Sequence, residues 1–430
     1  MSHNPLENSY STIKRIREFI HSTSSVFTWS LVGVLSQAVL QFAIVAIIGK
    51  VSTTAAVGRY AFALAVVVPV YSFLNMQLRN VLTTDTESQF PVASYYLLRK
   101  LQVLSVVALV GLLSIPLLLN GQNCVILWLV AASKSVESIS DIAHAVAQRA
   151  SRFDIIGKSL LARATLGISA FAATMLSGGS LPAALLTMIA MQILVAIFFD
   201  LPQARKLTPR INSSPASLNE VGRLQVFELA KRAFPLGIVM GLCHLAEALP
   251  RICVRFQMSE YDLGIYASCG YLLILARLPV SASTQIALPR LASAYAKKNV
   301  AAFTNLVKML MGFAACLTLA MFGCSYWLGE YALTMLFNSE VAEHSHLLLI
   351  LSVATGFAFA SSYLGQALTA AGRFYSQISS YIVMVCAISI AAIQLIPHFG
   401  LRGMATAYLI GTFALLLVQS VYYRKTAATI

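Results

Sequence analysis

The chain has 430 residues, of which 58% are hydrophobic and 11% charged, with a formal net charge of +14. A soluble domain carries roughly 45–50% apolar and about 25% charged residues and cannot hide so much apolar surface. The balance excludes a soluble enzyme or a soluble enzyme with one anchor, and the apolar residues fall in blocks such as Val26–Ile48 and Cys124–Ala132, as a polytopic all-α membrane protein requires.

Residues 1–24 are polar, carry Lys14, Arg15 and Arg17 and show no small-residue cleavage site, so they are expected to stay as a cytosolic segment. A hydrocarbon core about 30 Å thick needs about 20 apolar residues per helix. By that measure about twelve spans follow, at 25–49, 57–80, 98–119, 124–147, 159–177, 182–201, 234–256, 263–288, 304–327, 345–370, 377–396 and 403–423. Residues 203–233, rich in Pro, Ser, Asn and charge, divide them into an N-terminal lobe (25–202) and a C-terminal lobe (234–423). Residues 424–430 form a cytosolic tail.

Alternate connections are basic. Arg79, Arg99 and Lys100 fall on one side, with Arg149, Arg152 and Lys158, the linker cations, Arg290, Lys297, Lys298, Arg373, Arg424 and Lys425. The other side carries Lys50, Arg59, Arg255 and Arg402 near span ends, and the acids Glu260, Asp262, Glu330, Glu340 and Glu343. The positive-inside rule then puts both termini in the cytoplasm and accounts for most of the net charge, so nucleic acid is not an expected partner. The seven cysteines lie in or beside apolar segments without CxxC spacing and read as buried small hydrophobes. Asp85-Thr86-Glu87 reads as a solvated loop, His344 and His346 lack a third ligand, and GEYALTMLF (329–337) reads as an interfacial turn. No phosphate loop, HExxH helix or GxSxG elbow is present, so neither a metal, a cofactor nor an enzymatic activity is expected.

The halves repeat. Val57-Gly58-Arg59-Tyr60-Ala61 opens the second span and Leu263-Gly264-Ile265-Tyr266-Ala267 the eighth, an offset of 206 residues that also sets Gln41 against Glu247. Parallel six-helix lobes related about an axis along the membrane normal usually belong to transporters with the substrate site between the lobes.

Ionisable groups at bilayer depth cost several kcal/mol unless they are paired or face water. In the fourth span Lys134, Glu137, Ser138, Asp141, His144 and Gln148 share an arc of roughly 120° and a length of about 21 Å. Either Lys134 pairs with Glu137 within a self-satisfied stripe, or the stripe lines a polar cavity. The seventh span carries His244, Glu247, Arg251 and Arg255 on one face, with Pro235 and Pro250 interrupting it. Arg251 either pairs with Glu247 or faces a cavity, and Arg255 either faces the same cavity or snorkels to the interface. Arg277, near the middle of the eighth span beside Pro279, has no acid within four residues and is expected to be a cavity cation.

The repeated entries to spans two and eight, KSVESISDIAHAVAQR in span four, PVYSFLNMQLRNVLTTD, LPRLASAYAKKN, GQALTAAGRF and GLRGMATAYL resemble the polysaccharide-exporter branch of the multidrug/oligosaccharidyl-lipid/polysaccharide (MOP) superfamily. More narrowly, they resemble O-antigen flippases of the Wzx type. The resemblance spans the chain and implies a MATE-like fold around a cationic central cavity. It also implies a bacterial inner-membrane location and translocation of an undecaprenyl-pyrophosphate-linked oligosaccharide for surface polysaccharide, with polymerase or assembly partners. Guanidinium forks suit phosphate oxygens, so Lys134, Arg251 and Arg277 are expected at the head group, followed by Arg59, Arg79, Arg255 and Gln41. Glu137, Asp141 and Glu247 are the candidate sites for a coupling H+ or Na+. The rival readings are a MATE-type multidrug antiporter exporting amphipathic cations, a lipid II flippase and, less well supported, a membrane polysaccharide polymerase or acyltransferase.

Overall fold

A computed structural model describes residues 5–85, 89–211 and 222–429, and every regular element among them is helical. The N-terminal half comprises α1 (Pro5–Val51), α2 (Thr54–Asn75), α3 (Leu78–Thr84), α4 (Val92–Leu119), α5 (Val125–Arg149), α6 (Phe153–Leu176), α7 (Leu181–Val195) and α8 (Leu201–Ile211). A π-helical turn, Ala196–Asp200, joins α7 to α8. The C-terminal half comprises α9 (Arg223–Gln257), α10 (Glu260–Ile274), α11 (Arg277–Ala296), α12 (Val300–Leu336), α13 (Ser339–Ala342), α14 (His346–Ala370) and α15 (Phe374–Ala427). The side chains of Lys14, Arg15 and Arg17 lie outside the described residues, as do Thr86, Glu87 and the linker residues 212–221.

Among the described residues nine helices are long and apolar enough to cross a membrane, or ten with α10 and α11 taken as one span bent by 47°. This is a multi-pass membrane protein. Two elements separate that number from the expected twelve. α15 runs on for 54 residues but turns at Gly400, whose φ of 55° and ψ of −131° are open only to glycine, just after Pro397. α5 has 25 residues, but its second half carries the polar stripe.

α1 is helical from Pro5, within the expected cytosolic segment, and α8 and α9 extend the flanking helices into the expected linker. α12 continues through the GEYALTML stretch instead of turning at an interface: no proline interrupts it, and Gly329 costs a helix only about 1 kcal/mol. Cys316, Cys324 and Cys386 are exposed among outward-facing apolar side chains such as Leu319 and Ile390, not buried. Asp85 is buried rather than solvated: it accepts the backbone N–H groups of Gln89 and Phe90 and the hydroxyl of Tyr95.

Helices in lipid gain little from burying apolar surface against each other, so close packing through small residues joins them. The repeated motif does this between the halves. α2 packs along α9 and α10, and a Cβ at Gly58 would collide with the carbonyl of Glu260, one at Gly264 with the carbonyl of Thr54. The two copies of the motif are therefore pressed against each other, backbone to backbone, with Tyr60 and Tyr266 buried beside the crossing. Caps start the helices here: Thr53 accepts the N–H of Ala56, and Ser259 forms a capping box with Asp262.

The second helix of each repeat is broken. α2 stops where Met76 and Gln77 both adopt left-handed conformations (φ 49° and 52°), and the α10 direction changes at Leu275–Ala276. Arg277 is thus the first residue of α11, beyond a break, rather than the middle of a continuous helix.

Candidate functional site

All of the α5 stripe but Gln148 lines a cavity of about 430 Å³ together with Gln37, Tyr71, Asn75 and Arg79. Both sequence alternatives hold at once, because the stripe faces the cavity and also neutralises itself. Lys134 Nζ lies 2.6 Å from Glu137 Oε2, and Gln37 donates to Glu137 Oε1 at 3.2 Å. Asp141 sits between two cations, with Arg79 at 3.3 Å and Arg99 at 3.6 Å, while Arg79 Nε also donates to Gln148 at 3.0 Å. Lys134 and Glu137 reach a smaller chamber that Gln41, Tyr60 and Gln192 share.

Two groups that belong to this cluster escape sequence reasoning. Arg99 reads as a cytosolic loop cation, yet it lies inside α4 with 1% of its surface exposed, hydrogen-bonded to Asn75 at the α2 break. Only the fold reveals that Asn75 and Asp141 stand opposite it. Behind the stripe, Asp200 of the π turn is buried against Arg163 at 2.6 Å, and His144 lies 3.6 Å from it and 3.0 Å from the Ser159 hydroxyl. Arg163 also donates to Ser140. The π turn is the signal, since such turns gather at functional sites. Asp200 ends this turn, fully buried, after a mostly apolar helix.

In the C-terminal half Glu247 pairs with Arg277, both of whose terminal nitrogens reach its carboxylate, and His244 approaches at 3.8 Å. Arg277 therefore has an acid partner, thirty residues away in sequence, and Arg251 is not that acid's partner. Among the described residues Arg251 has no carboxylate within ion-pair distance, and its guanidinium lies 5.3 Å over the ring of Tyr271. A cation–π contact is worth about 0.5–2 kcal/mol and leaves the guanidinium's donors free. Arg251, Glu247 and Arg277 line one chamber with Tyr266 and Tyr408. Glu247 and Arg277 also line a cavity of about 580 Å³ that extends between α9, α11, α14 and α15. His244 borders both this cavity and the α5 cavity, so the two meet at α9.

The 206-residue offset carries over to the small chambers. Gln41, Ile44, Tyr60 and Leu64 line the N-terminal one, and their counterparts Glu247, Pro250, Tyr266 and Gly270 line the other. The repeat builds equivalent walls, and each wall holds an acid–base pair: Lys134–Glu137 in one and Arg277–Glu247 in the other.

Arg59 and Arg255, expected at the same cavity, lie elsewhere. They line a separate small pocket where Glu260 meets Arg255 at 3.2 Å and Arg59 at 3.8 Å, and Gln122 accepts from Arg255 at 2.9 Å. Other bridges between the halves lie at the same end. Lys50 donates to the Thr334 carbonyl at 3.0 Å, Asn338 to Thr54 at 3.1 Å, and Thr54 to Glu340 at 3.3 Å. At this end the halves are bridged by the Arg59–Glu260 ion pair, these hydrogen bonds and the Gly58–Gly264 crossing.

No protein-family model matches the chain. The capsular polysaccharide biosynthesis protein CapF of Staphylococcus aureus is 23% identical over 402 residues, covering 93% of this chain and 98% of CapF. Among solved structures, the lipid II flippase MurJ in an inward closed conformation is similar with a TM-score of 0.72 at 14% identity, over 94% of this chain and 90% of MurJ. A MOP superfamily transporter from Pyrococcus furiosus, described by a reversed polarity of its binding pocket, gives 0.69 at 13% identity over 95% of each chain. A mutant of the Vibrio cholerae MATE transporter VcmN gives 0.67 at 16% identity over 95% of this chain and 99% of VcmN. The chain has the fold of the MOP transporters.

Proposed function

We propose that the protein is a flippase that carries a polyprenyl-diphosphate-linked oligosaccharide, of the undecaprenyl type, across the bacterial inner membrane for surface polysaccharide assembly. The observation that carries this reading is Arg251, a cavity cation with no carboxylate partner among the described residues, standing beside Arg277. Two arginines on Asp141 give the N-terminal cluster a surplus of positive charge as well. Such a lining suits a diphosphate and disfavours the amphipathic cations that a drug antiporter exports. Similarity to a capsular polysaccharide biosynthesis protein along nearly the whole chain supports the same cargo class.

In this reading the chain crosses the membrane twelve times, with α10–α11 bent, α15 folded at Gly400 and α5 counted as a span. The Lys and Arg bias puts both termini and the Asp141 end in the cytoplasm. The Glu260 end is then the outer gate, closed here, with the cavity loaded from the cytoplasmic side and the lobes rocking about the α2 crossing. Glu137, Asp141 and Glu247 are the sites for a coupling H+ or Na+, each already poised beside a cation that ion binding or protonation would release.

Reconstituted vesicles containing a lipid-linked oligosaccharide test this. The Arg251→Gln, Arg277→Gln double variant is expected to lower translocation by about 100-fold, the loss of roughly 2.7 kcal/mol of charge-assisted contact, and unchanged translocation would end the anion-site assignment. The Glu137→Gln, Asp141→Asn pair is expected to abolish the response to proton or sodium gradients.

A further inference from the structure

The two cavities differ in chemistry. The α5 cavity is lined by charge, whereas the cavity of about 580 Å³ in the C-terminal half has Glu247–Arg277 and His244 at one wall and otherwise neutral amides, hydroxyls and apolar side chains. On α14, Ser362, Gln366 and Thr369 stand at helical spacing on one face, and all three line the cavity. Gln377 of α15 faces them and donates to Thr369 at 2.8 Å, which leaves its carbonyl oxygen free. Among the described residues Ser362, Gln366 and the Tyr408 hydroxyl, which all line cavities here, make no hydrogen bond. Polar groups on a cavity wall are normally satisfied by water or by a ligand, so a row of neutral donors and acceptors unspent among the described residues offers a ligand-sized space ready-made hydrogen-bonding partners. Ligand pockets run to about 300–1,000 Å³ with a few fixed polar groups on apolar walls, and this one fits that description.

We propose that this cavity is a subsite for an uncharged sugar, the residue next to the diphosphate, with Ser362, Gln366, Gln377 and Tyr408 reading its hydroxyl or acetamido groups while Arg251 and Arg277 hold the phosphates at the adjoining wall. The subsite rests on the flippase reading and adds a substrate class to it. Glu247 and Arg277 neutralise each other, so nothing on the α14 face would compensate a carboxylate on that first sugar. A site that hydrogen-bonds a hydroxyl discriminates against a ligand lacking it, because its own polar groups are then left unpaired.

The test measures binding of two lipids to the purified full-length protein in nanodiscs: a polyprenyl diphosphate bearing one neutral hexosamine, and the same diphosphate without sugar. The wild type is expected to prefer the glycosylated lipid about tenfold. In Ser362→Ala, Gln366→Leu that ratio falls to about one, whereas in Arg251→Gln both affinities fall and the ratio persists. A ratio near tenfold in the Ser362→Ala, Gln366→Leu variant overturns the subsite and leaves the flippase reading intact, as does a wild-type ratio of one with both lipids bound. Binding of neither lipid by the wild type overturns both. Should the double variant lose both affinities through misfolding, the single Ser362→Ala must still lower the ratio, and an unchanged ratio there refutes the assignment.

Discussion

The halves share a frame and differ in how they hold charge. In the N-terminal half Asp141 is gripped by two arginines, one of them almost wholly buried, and Asp200 is sealed against Arg163 and His144. In the C-terminal half the Glu247–Arg277 pair is open to a cavity, half of the Arg277 side chain being exposed, and among the described residues Arg251 has only the Tyr271 ring beneath it. A repeat fixes where helices run and break, because backbone packing depends on small residues at a few crossings. It does not fix which side chains fill the resulting pockets, so one half holds its charges in a braced network and the other leaves its pair open to a cavity.

Matched neutralisations sharpen this contrast. Asp141→Asn leaves Arg99 buried without its counter-ion and is expected to cost about 3–5 kcal/mol, read as a large drop in thermal stability in detergent. Glu247→Gln leaves Arg277 able to turn to water and is expected to cost only about 1 kcal/mol. Equal losses would break the distinction between a braced half and an open one. A second test addresses the frame itself. Gly58→Ala puts a Cβ into the Glu260 carbonyl and is expected to cost about 1–3 kcal/mol of packing. It should also part the halves at that end, which cross-linking between cysteines placed at Thr54 and Glu340 would report as a reduced yield. The smallest effect is expected at the ion-pair closure. Glu260→Gln removes one partly exposed carboxylate shared by Arg59 and Arg255 and should weaken closure by no more than about 1 kcal/mol, less in high salt.

The stripe on α5 was legible from sequence because helical spacing alone puts Lys134, Glu137 and Asp141 on one face. Arg99 was not legible, since its burial depends on Asn75 and Asp141 arriving from two other helices. Arg255 faces the seventh span's polar side as expected, but four residues beyond Arg251 along a helix is enough to move it from the cavity to the separate pocket at Glu260.

Sequence by itself determined the membrane-embedded helical class, the repeat and the polar faces, because hydropathy, length and helical period are local properties of the chain. Tertiary structure alone decided the partners. Glu247 stands thirty residues from Arg277, and Gly58 two hundred and six from Gly264, yet each pair is in contact. Charge compensation and close backbone approach act through space between helices, and no periodicity along one helix encodes which neighbour will be there.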